Sequence, residues 1–208
     1  KNISPTQKGG AEFHAYFNGQ FKTHVQLNIP GDHNILNALA AIAAAETTGI
    51  SPKEAAKGLK NYTGVDRRFQ YKGEFNGAMV IDDYAHHPSE VKATLAAAQK
   101  VKHNRILCLF QPHTYSRAKT LLSDFGKAFY NADLVILADI YAAREKDTGL
   151  ISSKDVADEI NKNSKNAVYA GSFSNVSDMV KKEAKAGDII ITMGAGDIYK
   201  VGEGLIKS

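Results

Sequence analysis

From residue 78 onward the chain alternates short apolar runs with helix-like segments, and this rhythm constrains its fold more than any other feature. The apolar runs have the length of strands and the segments between them have the length of helices. Strands that alternate with helices pair in parallel, and the helices cover both faces of the sheet. This part of the chain is therefore predicted to be α/β, with a doubly wound, mostly parallel sheet. The predicted strands cover residues 78–82, 105–110, 133–138, 167–170 and 188–193, and the predicted helices cover 89–101, 117–130, 153–162, 174–186 and 197–206. Pro88 and Ser89 are predicted to open the first of these helices, Ser152 with Asp155 to cap the third, and Ser174 to cap the fourth.

The beginning of the chain follows a different pattern. Alternating apolar residues predict two strands, and Asn18-Gly19 between them is a favoured hairpin turn. Two helices follow, with Gly49 as the C-cap of the first and Ser51 as the N-cap of the second. These elements cover residues 13–17, 25–29, about 34–48 and 52–63. We predict a small α+β region at 1–66 and the doubly wound domain at 67–208.

Composition narrows the classes of function. The net charge of +4 is mild and the basic residues are scattered, whereas nucleic-acid binding usually concentrates them in one patch. No apolar stretch approaches the length of a membrane span. The single cysteine, Cys108, lies inside an apolar run and is expected to be a buried thiol. We expect a cytoplasmic protein without disulfides that binds neither nucleic acid nor membrane.

Two turns that follow predicted strands carry an unusual set of polar side chains. The segments 82–88 and 111–117 together contain three histidines, two aspartates, two tyrosines and one arginine. A structural turn needs only Gly, Asn or Asp, so these side chains indicate chemistry on a charged small molecule. Because the carboxyl ends of parallel strands meet at one edge of a sheet, the turns between strands and helices should converge there. The turns concerned are 83–88, 111–117, 139–149 and 194–197.

The pair Asp82-Asp83 at a strand end leaves three interpretations open. One carboxylate can cap the turn, it can hold a ribose hydroxyl or a phosphate-bound cation, or it can be the phospho-acceptor of a receiver-like module. A receiver also needs a lysine at the end of the final strand. Glycines stand there instead, so the receiver is the least favoured of the three.

The histidines of these turns are better suited to hydrogen bonding or proton transfer than to binding a metal. Adjacent residues such as His86 and His87 rarely ligate one ion, and no cysteine or acidic cluster accompanies them and His113. Arg117, four residues after His113, is well suited to hold a carboxylate. A solvated arginine is disfavoured here because cations are poorly placed at a helix N-terminus.

Three further features point to an anionic ligand. Gly194 and Gly196 form a tight turn whose backbone N–H groups can receive an anion, although many turns use glycine without binding anything. Asn34 and Asn37 share one face of a predicted helix and suit a purine or ribose edge, but asparagine also caps helices. The pair Arg67-Arg68 at the predicted boundary would let one arginine reach phosphates.

Together these residues resemble the Mur ligases, ATP-dependent enzymes that build the peptide stem of bacterial cell-wall precursors. The resemblance covers nearly all of the chain and implies three domains in the complete enzyme, the last of them Rossmann-like. No phosphate-binding loop of the form Gly-x-x-x-x-Gly-Lys-Ser/Thr occurs in this sequence. The chain is therefore expected to be a C-terminal fragment that contains the end of the central ATP-binding domain and the whole third domain. The matching segments are 31–41, 64–70, 82–88, 110–117, 140–145 and 193–197.

The resemblance implies that ATP drives the joining of L-alanine to UDP-N-acetylmuramate through an acyl phosphate, in peptidoglycan precursor synthesis. It implies ATP and Mg²⁺ as cofactors, with the metal ligands in the missing upstream part. The alternatives are a ligase that attaches a recycled tripeptide to the same UDP-sugar, and a non-catalytic nucleotide-binding or receiver-like module. The implied roles are catalysis by Asp83 and His86, nucleotide binding by Asn34, Asn37, Arg68 and Asp83, and substrate binding by Tyr84, His86, His113, Arg117, Arg144, Gly194 and Gly196.

Overall fold

The structure is a computed structural model that describes residues 1–6, 10–29 and 31–207. The chain divides into two compact units, Lys1–Val65 and Asp66–Ser208. Each unit has its own hydrophobic core. The assignment of the first unit to the end of a central ATP-binding domain stays a prediction.

The first unit combines a three-stranded antiparallel sheet in the order β1-β2-β3 with two helices. The predicted Asn18-Gly19 hairpin turn is present, and both residues have the positive φ that such a turn requires. The side chains of Phe13, Val25 and Ile35 are buried between the sheet and the helices. The elements are β1 (Ser4–Pro5), β2 (Ala11–Phe17), β3 (Gln20–Leu27), α1 (Asp32–Thr47) and α2 (Pro52–Lys60).

The ends of these helices follow the predicted signals. After α1 the amide of Gly49 donates to the Glu46 carbonyl and the amide of Ile50 donates to the Ala45 carbonyl, which is the Schellman pattern with glycine at positive φ. At α2 the Ser51 hydroxyl accepts from the Glu54 amide, and the Glu54 carboxylate accepts from the Ser51 amide. Local sequence therefore explains both boundaries.

The second unit is built on a six-stranded sheet in the order β4-β5-β9-β6-β7-β8. Neighbouring strands pair in parallel except β4, which pairs with β5 in the antiparallel direction. This architecture agrees with the prediction of a doubly wound, mostly parallel sheet. The elements are β4 (Gln70–Phe75), β5 (Ala78–Asp83), α3 (Pro88–Ala98), β6 (Ile106–Phe110), α4 (Tyr115–Thr120), α5 (Leu122–Gly126), β7 (Leu134–Ala138), α6 (Ser153–Asn163), β8 (Ala167–Gly171), α7 (Phe173–Glu183), β9 (Ile189–Met193) and α8 (Tyr199–Leu205).

Helices cover both faces of this sheet, and successive residues of the central strands alternate between two cores. In β6, Ile106, Cys108 and Phe110 pack with α3, α5 and α6, whereas Leu107 and Leu109 pack with α7 and α8. All five side chains are fully buried, as expected for a central strand of a parallel sheet. Cys108 is thus the buried thiol that its position predicted, and burial raises its pKa.

Three local predictions for the second unit were wrong. Strand β4 was not anticipated, because its residues lack a regular apolar alternation and it forms the edge of the sheet. The helix predicted at 117–130 is two short helices, α4 and α5, separated at Leu121. Pro88 opens α3 as predicted, and His87 is its N-cap. Ser172 rather than Ser174 caps α7, so the residue that accepts from the first turn lies two positions earlier than predicted.

In the part of the chain that the structure describes, no helix is both long enough and apolar enough to cross a membrane.

Candidate active site

The carboxyl ends of four parallel strands lie side by side in the second unit, so the turns that follow them meet at one edge of the sheet. Asp83 at the end of β5 is in register with Met193 of β9, which in turn is in register with Phe110 of β6. The parallel pairing continues beyond β6 and β7 through a bridge between His113 and Tyr141. This edge carries most of the side chains that the sequence singled out.

Four aromatic rings and one guanidinium form a continuous cluster at this edge, which we call the ring cluster (Tyr84, His86, His113, Arg117 and Tyr141). The ring of His86 lies 5.5 Å from that of Tyr84 and 5.6 Å from that of His113, measured between centroids. The ring of His113 stacks on that of Tyr141 at 5.6 Å. Arg117 Nη1 lies 2.8 Å from His113 Nδ1. Tyr84, His86, His113 and Arg117, predicted to form one pocket, are therefore neighbours.

Hydrogen bonds assign opposite roles to the two histidines of the ring cluster. Arginine can only donate, so His113 Nδ1 is the acceptor and neutral His113 carries its proton on Nε2. His86 Nδ1 lies 3.0 Å from the Tyr84 carbonyl, which can only accept, so this nitrogen carries the proton of neutral His86. His86 Nε2 is consequently a proton acceptor and His113 Nε2 a proton donor.

The surroundings of His113 favour its neutral form. Burial lowers its pKa from the usual 6.5, and electrostatic interactions with Arg117 and His86 lower it further. Glu90 lies beside His86, with 3.4 Å between Nδ1 and Oε2. Burial acts to raise the pKa of Glu90, but the amides of His86 and His87 and the nearby cations outweigh it, so this pKa is lowered. Glu90 is thus a carboxylate that can stabilise a proton on His86.

Asp83 is buried, and its carboxylate is used to hold the turn. Oδ2 accepts from the Phe69 amide at 2.7 Å and Oδ1 accepts from the Ala85 amide at 2.8 Å. Burial raises the pKa of Asp83, and the bonds from the Ala85 and Phe69 amides offset this effect only in part. The capping interpretation of this aspartate therefore has direct geometric support.

The glycines of the turn after β9 are needed for a close approach to Gln111. A Cβ at Gly194 would lie 2.7 Å from the Gln111 carbonyl oxygen, and one at Gly196 would lie 2.4 Å from Gln111 Oε1. That Oε1 accepts from the Asp197 amide at 2.9 Å, and the Gly194 amide donates to the Asp83 carbonyl at 3.1 Å. The Gly194 amide, one of the N–H groups predicted to receive an anion, is thus bonded within the protein, and so is the neighbouring Asp197 amide.

Arg68 and Arg144 are more exposed than the residues of the ring cluster. The Arg68 side chain is half exposed, 5.8 Å from the Tyr84 ring and 3.9 Å from Glu90. Arg144 is exposed in the turn after Tyr141. Its neighbour Glu145 accepts from the amide and the hydroxyl of Ser116 at the start of α4, and these bonds lower its pKa.

Asn34 and Asn37 lie one turn apart on α1 in the first unit, as predicted. Asn37 Nδ2 lies 3.5 Å from Asn34 Oδ1. Both line a cavity of about 380 Å³ whose other walls are mostly apolar. The remaining lining residues are Leu27, Ile29, Ala38, Ala41, Gly58, Leu59 and Tyr62.

Sequence reasoning missed the residues that hold this edge together. Arg67, Gln111, Tyr141 and Glu145 all connect one turn to another, and each stands next to or inside a segment that the sequence had singled out. Their proximity to predicted site residues was the available signal. Their side chains contact positions from 15 to 129 residues away, so local patterns could not reveal them.

Comparison with known proteins identifies the family. A family model described as Mur ligase, glutamate ligase domain, matches residues 67–196. The chain belongs to the Mur ligase family. The ring cluster lies inside the matched region, and the turn at 194–197 lies at its C-terminal end.

Individual Mur ligases show similarity beyond this domain. The chain is 48% identical over 207 residues to the UDP-N-acetylmuramate–L-alanine ligase of Caldanaerobacter subterraneus subsp. tengcongensis. This match covers 100% of this chain and 45% of that protein. The solved UDP-N-acetylmuramate-alanine ligase of Thermotoga maritima superposes with a TM-score of 0.81 at 27% identity, covering 96% of this chain and 43% of the other. A murein peptide ligase from Psychrobacter arcticus gives 0.65 at 27% identity, covering 94% and 41%.

These similarities confirm the α/β fold class and the resemblance to Mur ligases. The relatives are ligases, which leaves the non-catalytic and receiver-like alternatives without support. The chain spans about 45% of the length of the curated relatives that it matches.

Proposed function

We propose that the full-length protein joins L-alanine to UDP-N-acetylmuramate in an ATP-dependent reaction of peptidoglycan precursor synthesis. The observation that carries this proposal is the ring cluster, where a guanidinium, a proton-donating histidine and a proton-accepting histidine lie together at the carboxyl ends of parallel strands. An amino acid presents one carboxylate and one ammonium group, and these side chains match both. The reaction consumes ATP, so the proposal also places the protein in the cytoplasm.

In the proposed reaction the terminal phosphoryl group of ATP is transferred to the muramoyl carboxylate, which gives an acyl phosphate and ADP. The amine of L-alanine then attacks the acyl carbon, the bond from that carbon to the phosphate oxygen breaks, and inorganic phosphate leaves. Arg117 and His113 Nε2–H would hold the alanine carboxylate. His86 Nε2 would take the proton that the ammonium must lose, and Glu90 would stabilise the resulting imidazolium.

Nucleotide binding by Asn34, Asn37, Arg68 and Asp83, and substrate binding by Arg144, Gly194 and Gly196, belong to the same proposal. Asp83 would hold its turn in place, since both of its carboxylate oxygens already accept hydrogen bonds from backbone amides. Among the residues described, no group of three His, Cys, Asp or Glu side chains could hold a metal ion. As the resemblance to Mur ligases implies, the proposal places the Mg²⁺ ligands in the upstream part of the full-length protein.

The test is phosphate release by the full-length protein as a function of each substrate. Phosphate should appear only when ATP, UDP-N-acetylmuramate and L-alanine are all present. Arg117→Ala should lower kcat/KM for L-alanine by the equivalent of roughly 2–5 kcal/mol, because it removes the charged partner of the substrate carboxylate. The KM for ATP should change little.

Lys119→Ala is the matched control, since Lys119 is an exposed cation on the same short helix. It should leave every kinetic constant close to that of the wild type. An equal rise in the KM values for ATP and L-alanine in Arg117→Ala would contradict the assignment of Arg117. Turnover with a cell-wall tripeptide but not with L-alanine would establish the recycling ligase instead.

A further inference from the structure

Arg67 is the residue on which the turns after β5 and β9 converge. Its Nε donates to Asp82 Oδ2 at 2.9 Å, and its Nη2 donates to the carbonyl oxygens of Gly194 at 2.7 Å and Gly196 at 3.1 Å. These partners lie 15, 127 and 129 residues away along the chain. One guanidinium thus links the end of β5 to the turn that follows β9.

The same guanidinium lies over two aromatic rings. Its central carbon lies 4.8 Å from the centroid of the Tyr84 ring and 4.7 Å from that of Tyr199. The backbone reinforces this arrangement, because the Tyr84 amide donates to the Arg67 carbonyl at 2.6 Å. Arg67 also has φ of +60°, a conformation that costs about 1 kcal/mol or more for a residue with a side chain. The contacts of the backbone and of the side chain together offset that cost.

We propose that Arg67 is a positioning residue that sets the place of the Tyr84 ring and of the turn at Gly194–Gly196 for recognition of the amino-acid substrate. This inference rests on the proposed function, which assigns both features to the substrate side of the site. Arg67 acts through them, since the bonds of its side chain in the structure go to Asp82 and to backbone carbonyls.

Only arginine can meet all of these requirements at once. Asp82 is almost fully buried, and its other oxygen accepts from the Thr192 hydroxyl at 2.7 Å, so it needs one charged partner in a fixed direction. A planar guanidinium can donate to a carboxylate and to two carbonyls while it also lies over two aromatic rings. A lysine ammonium could keep the ion pair with Asp82 but lacks this fixed, planar set of donors.

The experiment compares Arg67→Lys with Arg105→Lys in the full-length protein. Arg105 is a matched control: its guanidinium pairs with buried Asp188 at 2.7 Å and donates to the Glu183 carbonyl at 2.6 Å, beside the opposite ends of the strands. Both variants should lower the melting temperature. Only Arg67→Lys should raise the KM for L-alanine, by roughly tenfold to a hundredfold, because small misplacements of substrate-contacting groups cost that much. The KM for ATP should stay within about twofold.

A second variant, Tyr199→Leu, removes one ring and leaves the ion pair intact. It should raise the KM for L-alanine in the same direction by a smaller factor. A purely structural role predicts that the two Arg→Lys variants lose similar stability while the KM for L-alanine is unchanged in Arg67→Lys and in Tyr199→Leu. That result would overturn the proposal.

Hydrogen exchange separates this inference from the proposed function. In Arg67→Lys, the amides of Tyr84 and of the turn at 194–197 should exchange faster than in the wild type, whereas in Arg105→Lys they should not. Unchanged exchange at these amides would refute the positioning role whatever the enzyme's substrate is. Suppose that these amides exchange faster in Arg67→Lys but that phosphate release by the wild type does not depend on L-alanine. The positioning role would then stand, and the proposed substrate would be wrong.

Discussion

At Gly196 the backbone passes so close to Gln111 and Tyr141 that no side chain fits. A Cβ there would lie 2.4 Å from Gln111 Oε1 and 2.8 Å from Tyr141 Cγ. Gly196→Ala should therefore displace the Gln111 side chain and break its bond from the Asp197 amide. We expect a loss of about 1–3 kcal/mol in the free energy of unfolding, measured by urea denaturation.

Gly204→Ala provides the matched control for this substitution. Gly204 lies in helix α8, its φ is not positive, and a Cβ there would meet no atom within 4 Å. Alanine should stabilise the protein by about 0.4–1 kcal/mol, because it restricts the unfolded chain and favours the helix. If both substitutions shifted the midpoint of urea denaturation equally, the close approach at Gly196 would not contribute to stability.

His113 should make stability depend on pH. Because its pKa in the folded protein is below the usual 6.5, the unfolded chain binds a proton first as the pH falls. Stability from this group is therefore complete above about pH 6.5 and is lost as the pH falls through the lowered pKa. The free energy of unfolding should decrease from pH 7 towards pH 5.

The comparison is His113→Gln, whose amide oxygen can still accept from Arg117 but cannot titrate. The slope of unfolding free energy against pH should be smaller in this variant than in the wild type over that window. Identical slopes would show that His113 titrates alike in the folded and unfolded chains.

At the scale of elements, helix α6 offers two adjacent serines with opposite roles. The Ser152 hydroxyl accepts from the Asp155 amide, and the Asp155 carboxylate accepts from the Ser152 amide, as the sequence predicted. The hydroxyl of the next residue, Ser153, is buried without a hydrogen-bond partner. One hydroxyl therefore stabilises the helix and the other incurs a desolvation cost.

Alanine substitutions at these two positions should have different effects on the free energy of unfolding. Ser152→Ala should destabilise the protein by about 1 kcal/mol, because it exposes the amides of the first turn. Ser153→Ala should be neutral or stabilising, since it removes an unsatisfied buried polar group. Thermal unfolding of the two variants side by side gives the measurement, and an equal loss at both positions would contradict the capping argument.

At the scale of the whole molecule, the region matched by the Mur ligase family lies entirely within the second unit, which starts at Asp66. The 208 residues contain no Gly-x-x-x-x-Gly-Lys-Ser/Thr loop. We expect these 208 residues alone to show no ligase turnover, because phosphoryl transfer depends on such a lysine and on Mg²⁺, and loss of single groups of this kind costs orders of magnitude.

The measurement is phosphate release by the 208-residue chain with all three substrates, beside the full-length protein at equal concentration. Only the full-length protein should turn over. Substrate-dependent phosphate release by the shorter chain would refute this expectation and would require a phosphate-binding group within residues 1–208.

The sequence predicted most elements and the fold class because their signals are local. Apolar runs of strand length gave β5 to β9, and capping residues gave the ends of α1, α2 and α6. Edge strand β4 was not predicted because half-exposed strands lack a continuous apolar run. The break between α4 and α5 at Leu121 was not predicted because no glycine or proline marks it.

For the candidate site, the sequence by itself determined which side chains stand at strand ends, and the order of strands then brought four of those ends together. Only the tertiary structure decided which atoms meet. Arg67 lies one residue before Arg68, yet its guanidinium holds Asp82 and the turn at Gly194–Gly196 while the side chain of Arg68 is half exposed. Adjacent residues with the same chemistry differ here because the direction of a side chain depends on backbone φ and on partners more than a hundred positions away, and neither is written in local periodicity.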